Sequence, residues 1–179
     1  MTCRNIANFK RGATLLLRDS LPPRPEGFKR PAPGEAHAEE AHVVITDHHA
    51  TVREQIGPLE FEQMAGSFFQ NNNSILPSLL KYVADAVWPA ASPARDPAVK
   101  SYLIDTYCGS GLFGIALADQ FDRVEGVEID KNSIKWAKRN AAYNEGEGRG
   151  QIGFRDGKAE AIFGVSVAFL FLCVAGDAG

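Results

Sequence analysis

Three cysteines in 179 residues, Cys3, Cys108 and Cys173, are too few and too scattered for a disulfide framework or a cysteine-based zinc site. A reducing, intracellular compartment is the expectation. Long apolar runs are also missing. The longest, VSVAFLFLCV at residues 165–174, is about half of the ~20 residues that a membrane span needs. No N-terminal segment has the charged-then-apolar layout of a signal peptide, so no membrane partner is expected. Histidine is scarce as well. His37, His42, His48 and His49 lack ligand spacing and a partner cysteine, which argues against a metal. Nor is there an excess of one charge: 19 Lys and Arg stand against 22 Asp and Glu, so no global field points to nucleic acid. The distribution is less even. Residues 1–33 carry Arg4, Lys10, Arg11, Arg18, Arg24, Lys29 and Arg30 against Asp19 and Glu26. That is either a phosphate-neutralising patch or a solvated loop face. No internal repeat is present, and the length suits one ordinary core.

What the chain does have is concentrated in residues 102–144, YLIDTYCGSGLFGIALADQFDRVEGVEIDKNSIKWAKRNAAYN. This reads as strand, glycine turn, helix, strand, acidic tip, helix. An apolar run ending in Asp105 feeds a turn containing Gly109, Gly111 and Gly114. Glycines there permit positive φ and a close ligand approach. The apolar residues that follow, from Leu112 to Leu117, begin a helix whose free N–H groups face the turn. The second strand, residues 123–129, ends in Glu128, and Asp130 follows. The first glycine and Glu128 lie about 20 residues apart, the separation expected of a carboxylate that accepts hydrogen bonds from ribose hydroxyls. The pattern points to a nucleotide-type cofactor. It does not choose between a nicotinamide dinucleotide and S-adenosylmethionine.

Around this unit the chain is organised simply. Residues 13–18 and 42–46 read as strands, and 60–64 leads to a break at Gly66 and Ser67. Together they suggest a small β-rich region with too few strands to close a sheet. Residues 21–40 are rich in Pro, Gly, Ala and charge and read as a loop. Ser74 is the expected N-cap of a helix reaching Val87, with Pro77 in its first turn and Leu76, Leu79, Leu80, Val83 and Val87 as its apolar stripe. Residues 89–97 form a linker. Residues 132–144 are helical, with Gly146, Gly148 and Gly150 terminating them; 151–154 form a third strand and 159–163 a short helical turn.

FFQNNNSIL at residues 68–76, together with DTYCGSGLFGIALA and GVEIDKNSIKWAKRNAAYN, closely resembles the RNA uracil-5-methyltransferases that make 5-methyluridine in tRNA or rRNA, the fungal-type tRNA members above all. The resemblance spans roughly residues 13–163 and takes in GATLLLRDS, VREQIG and GKAEAIF. It implies an α/β chain with part of a Rossmann-like S-adenosylmethionine methyltransferase fold and part of a β-rich N-terminal region. The implied division is a β-rich, RNA-side part at 1–66, the N-terminal part of the methyltransferase domain at 67–164, and an unrelated apolar tail at 165–179. It also implies S-adenosyl-L-methionine as cofactor and RNA, in particular tRNA, as partner.

Matched residue by residue, Gln70 falls on a glutamine near the methyl donor and target base. Tyr107 and Gly109 fall on the turn around the donor's amino-acid part, and Glu128 on the ribose acid. Asp105 holds the turn or the methionine ammonium; Lys158 and Ala159 fall on the adenine-side loop. Without the resemblance, Gln70 reads as part of a helix-capping segment and Cys108 as a packing residue. The family's chemistry needs a cysteine thiolate that adds to C6 of uracil, on a DPPR-type loop after a fourth strand, and a later base. Neither motif occurs in the chain, so no catalytic residue is nominated and the chain is expected to be a truncated piece, inactive alone. The apolar run at 165–174 is expected to take the fourth strand's place as a doubly covered parallel strand. A non-catalytic cofactor- or RNA-binding remnant and a nicotinamide-dependent oxidoreductase fragment remain open as alternatives.

Overall fold

The computed structural model describes residues 16–24, 41–70, 72–88, 100–146 and 149–160 with their side chains, and the backbone alone of 172–176. Ahead of the glycine turn lie β1 (Arg18–Ser20), β2 (Val43–Ile45), β3 (Thr51–Ile56) and β4 (Leu59–Met64). β1 pairs antiparallel with β2, and β3 with β4, and a bridge from Leu21 to Arg53 ties the two ribbons together. Neither ribbon closes on itself. Residues 13–15 of the first expected strand lie outside the described residues, and the strand proper begins at Arg18. β3 is hidden from the apolar pattern because Arg53, Glu54 and Gln55 separate Val52 from Ile56. Pairing rescues it: Gln63 Nε2 and Asn73 Nδ2 donate to the Glu54 carboxylate at 3.0 and 3.1 Å, while Val52, Ile56, Leu59 and Phe61 are buried.

The next helix, α1 (Leu76–Val87), has Pro77 in its first turn, where the missing N–H costs nothing. Its expected cap is not used. Ser74 lies inside a 3-10 turn, Asn73–Ile75, that precedes α1, and its hydroxyl bonds to Asn72 Oδ1 at 2.7 Å instead of to a helix amide. Three residues of 3-10 geometry move the helix start two residues past Ser74, out of reach of the amides a cap would serve. The apolar stripe is as expected, with Leu76, Leu79 and Leu80 joining one cluster and Val83 and Val87 the next.

The α/β part follows as β5 (Ser101–Thr106), α2 (Leu112–Ala116), β6 (Arg123–Glu128), α3 (Lys131–Tyr143) and β7 (Gln151–Asp156), with β8 (Leu172–Gly176) last. The sheet order is β7-β6-β5-β8. β5, β6 and β7 run parallel, the arrangement that βαβ crossovers impose. β8 lies on the β5 edge, the expected place, but it is antiparallel, with Leu103 opposite Val174. The apolar composition of the tail carries no information about strand direction. A parallel strand there would need a crossover before it; residues 161–171 lie outside the described residues.

Helices pack on the sheet face that carries Leu103, Val124 and Phe154. Gly126 in β6 is required by that packing, since a Cβ there would fall 2.2 Å from the Phe154 ring. On the opposite face Tyr102, Ile104, Arg123, Glu125 and Arg155 line an open hollow of about 590 Å3. One core cluster joins Ile56, Leu59 and Phe61 of the β3–β4 hairpin to Phe69, Leu76, Leu112, Ile115, Ile134 and Phe154. The hairpin and the α/β part therefore share a core, and the sheet's glycine turn is packed between them. Among the described residues no helix is long and apolar enough to cross a membrane.

Candidate functional site

β5 delivers the chain into a turn whose backbone is unusual at three places. Tyr107, Gly109 and Gly111 have φ of 62°, 53° and 92°. For tyrosine this conformation costs on the order of 1 kcal/mol, and such strain concentrates at ligand sites. At Gly111 no other residue fits: a Cβ would lie 2.9 Å from both Ile115 and Phe154. The turn is then held from several sides. Cys108 N–H donates to the Val127 carbonyl at 3.0 Å, and Gly111 N–H to the Cys108 carbonyl at 2.8 Å. Gly109 N–H donates to Glu128 Oε2 at 3.2 Å, Gly114 N–H to Asp105 Oδ2 at 2.9 Å, and Asn140 Nδ2 to the Ser110 carbonyl at 3.0 Å.

Beside this turn, at the tips of β5, β6 and β7, a hollow of about 410 Å3 is lined by Tyr107, Val127, Glu128, Ile129, Gly157, Lys158, Ala159 and Glu160. Four residues singled out from the sequence, Tyr107, Glu128, Lys158 and Ala159, thus meet around one space, and Gly109 touches it through its bond to Glu128. The size falls within the range of roughly 300–1,000 Å3 usual for small-molecule sites. The lining suits an adenosine-type group. Val127, Ile129 and Ala159 offer apolar walls for a base, and Glu128 offers a carboxylate for ribose hydroxyls. Its oxygens already accept from the amides of Gly109 and Asp130, at 3.2 and 2.9 Å, which fixes the carboxylate and leaves further lone pairs for a ligand.

Asp105 is not in the lining. It is buried under the turn, where its carboxylate anchors Gly114 at the start of α2. Burial raises its pKa from 3.8 to about 7; the Gly114 amide opposes that rise and Glu128 adds to it by repulsion. Gln70 is half-buried on the segment that leaves the hairpin and is not among the residues lining the hollow. Its neighbours divide sharply, with Phe69 in the core and Phe68 82% exposed.

Cys108 sits in the turn as a buried thiol whose pKa is pushed far up, first by burial and then by Asp105 and Glu128. A thiol kept neutral this way is no nucleophile. The site can bind and orient, and Cys108 is not its attacking group. Among the described residues no group of three or more His, Cys, Asp and Glu side chains is gathered to hold a metal. Of the basic N-terminal patch, Arg18 and Arg24 are described, and both serve the fold: Arg18 donates to the Ser67 carbonyl at 3.3 Å, and Arg24 pairs with Glu60 and lies 3.8 Å over the Tyr143 ring.

Sequence reasoning missed Asp130, which caps α3 by accepting from Asn132 N–H at 3.2 Å and Ser133 N–H at 2.9 Å and so fixes the loop after Glu128. It also missed Asn140. A signal existed for both. Asp130 stands one residue before the helix, and Asn140 falls on the same face as the apolar Ala137 and Ala141.

The family model described as tRNA (Uracil-5-)-methyltransferase matches residues 38–149. The tRNA (uracil(54)-C(5))-methyltransferase of Schizosaccharomyces pombe is 42% identical over 155 residues, 87% of this chain and 26% of that protein. That of Saccharomyces cerevisiae is 37% identical, over 89% of this chain and 27% of its own length. The chain therefore spans about a quarter of the curated relatives it matches. The crystal structure of the Pyrococcus abyssi tRNA (uracil-54, C5)-methyltransferase in complex with S-adenosyl-L-homocysteine aligns with a TM-score of 0.46 at 21% identity, covering 72% of this chain and 28% of that one.

Proposed function

We infer the function from the premise that this chain belongs to the tRNA (uracil-5-)-methyltransferase family: it carries donor-binding elements of an enzyme that methylates C5 of uridine in tRNA. S-adenosyl-L-methionine is the donor. Glu128 takes the ribose hydroxyls, Val127, Ile129 and Ala159 flank the adenine with Lys158 at its edge, and Tyr107 and Gly109 shape the turn for the amino-acid part. Asp105 acts from beneath, by holding Gly114. Gln70, which lies outside the lining of the hollow, is assigned to the reacting end by its match to the family's glutamine alone. When bound, the donor supplies an electrophilic methyl group on a sulfonium. The observation that carries this reading is the convergence of Tyr107, Glu128, Lys158 and Ala159 on one hollow beside the strained turn.

The RNA-side part at 1–66 and the donor part at 67–164 are the two functional segments within this reading. Neither a DPPR-type motif nor the cysteine that follows it occurs in the chain, and Cys108 is held neutral, so these residues bind the donor without turning it over. Calorimetric titration with S-adenosylhomocysteine and with NAD tests the cofactor assignment. Binding of the first and none of the second is expected, and the reverse would overturn it. Incubating the chain with unmodified tRNA and methyl-labelled donor is expected to give no 5-methyluridine; turnover would place the nucleophile within these residues after all.

A further inference from the structure

Two asparagines four residues apart, Asn140 in the last turn of α3 and Asn144 at its C-cap, replace a neighbouring strand along β4. Asn144 Oδ1 accepts from Glu60 N–H at 3.1 Å, and its Nδ2 donates to the Glu60 carbonyl at 2.7 Å. Asn140 repeats this at Glu62, accepting from N–H at 2.8 Å and donating to the carbonyl at 3.0 Å. The spacing explains the fit. Residues i and i+4 on a helix lie about 5–6 Å apart, and alternate residues of a strand roughly 6.6 Å apart, so two amides read alternate peptide groups on one edge. Both side chains are fully buried.

The two side chains differ in where the second N–H goes. The second N–H of Asn144 returns to its own helix, at the Asn140 carbonyl, 2.8 Å away. The second N–H of Asn140 crosses to the Ser110 carbonyl at 3.0 Å. Ser110 lies between Gly109 and Gly111, the left-handed residues that give the turn its shape. Asn140 therefore joins three parts: helix α3, the hairpin strand β4 and the glycine turn. The hairpin then leads directly into Phe68 and Gln70.

We propose that Asn140 is a positioning residue that couples the β3–β4 hairpin to the donor turn, so that the turn holds its ligand-ready shape only while the hairpin is docked. The consequence for donor affinity rests on the reading given under Proposed function; the coupling itself does not. Removing the Asn140 amide leaves the Ser110 carbonyl and both Glu62 peptide groups buried without it, whereas removing that of Asn144 takes its bonds from the Glu60 peptide groups and the Asn140 carbonyl and keeps the Asn140–Ser110 bond to the turn.

The comparison of Asn140→Ala with Asn144→Ala in the 179-residue chain tests this, because each removes a matching pair of contacts to β4, at Glu62 and at Glu60, and Asn140→Ala also removes the contact to the turn. Amide hydrogen exchange without ligand is expected to show Gly111 and Gly114 exchanging about tenfold faster in Asn140→Ala and unchanged in Asn144→Ala. S-adenosylhomocysteine affinity is expected to fall about tenfold in the first and not in the second. Equal effects of the two variants on the turn amides, or no effect of either, overturn the coupling and leave the donor reading intact. Selective exchange at the turn in a chain that binds no S-adenosylhomocysteine supports the coupling and removes the donor reading. Should Asn140→Ala not fold, exchange of the wild-type chain in sub-denaturing urea decides: Glu62, Gly111 and Gly114 amides opening as one unit support the proposal, and separate openings overturn it.

Discussion

Asp105 shows how a residue can be read correctly in position and incompletely in role. Its place at the tip of β5 is legible from the apolar run before it, but burial is a property of the packed turn and cannot be read from spacing. That burial makes it a titrating group near neutrality. A carboxyl raised from 3.8 to about 7 keeps its proton in the folded chain after the unfolded chain has lost it. Its contribution to stability is therefore full below about pH 4 and is lost as pH rises to about 7, by on the order of 2–4 kcal/mol. Asp105→Asn keeps an acceptor for the Gly114 amide and has no proton to lose. Urea denaturation across pH 4–8 should show the variant gaining on the wild type through that window and level above it. A constant difference would contradict the burial of a neutral acid. Asp122, held down at about 2 by the Ser101 amide and Lys100, titrates below the window and does not confuse it.

At the scale of elements, strand and helix types followed from pattern, β3 excepted, and their starts did not always follow. α3 begins at Lys131 because Asp130 supplies the cap, and α1 begins at Leu76 because a 3-10 turn displaces Ser74 from that role. The rule that Ser and Asp favour N-caps is the same in both cases, and the backbone before the helix decides whether it applies. Asp130→Ala is expected to cost about 1 kcal/mol at pH 7 by chemical denaturation. The Asp130 carboxyl lies below its ordinary range through its bonds to Ser133, so this difference is present above the ordinary value and should shrink as pH falls through the lowered one. An unchanged denaturation midpoint would show the cap to be idle. The direction of β8 was equally out of reach: an apolar run states that a strand is covered, whereas its orientation depends on the path of the chain before it. Amides of Leu172–Gly176 should exchange more slowly than those of a free peptide of the same sequence, and equal rates would remove the strand from the β5 edge.

On the scale of the whole molecule, the division at residue 66 that sequence suggests is not a division of the core. Ile56, Leu59 and Phe61 on the hairpin pack with Phe69, Leu76, Ile134 and Phe154 beyond it, and Asn140 and Asn144 hold the hairpin edge. A fragment of residues 1–66 is accordingly expected to show no cooperative thermal transition, and Phe61→Ala in the full chain to lose about 3–5 kcal/mol. Independent folding of the fragment would mean that the shared cluster is incidental. Little of this joint was visible beforehand, because long-range contacts between polar side chains and a strand edge leave no period in the sequence. The glycine turn was visible because positive φ and close packing restrict its residue types, and the acid because it stands at a strand end. The central claim is that the hollow beside that turn seats a sulfonium donor by its ribose. Calorimetry with S-adenosylhomocysteine on the wild-type chain and on Glu128→Gln tests it most directly: the account predicts measurable binding that weakens by about tenfold to a hundredfold in the variant, as loss of charge-assisted hydrogen bonds requires, and equal affinity of the two proteins would contradict it.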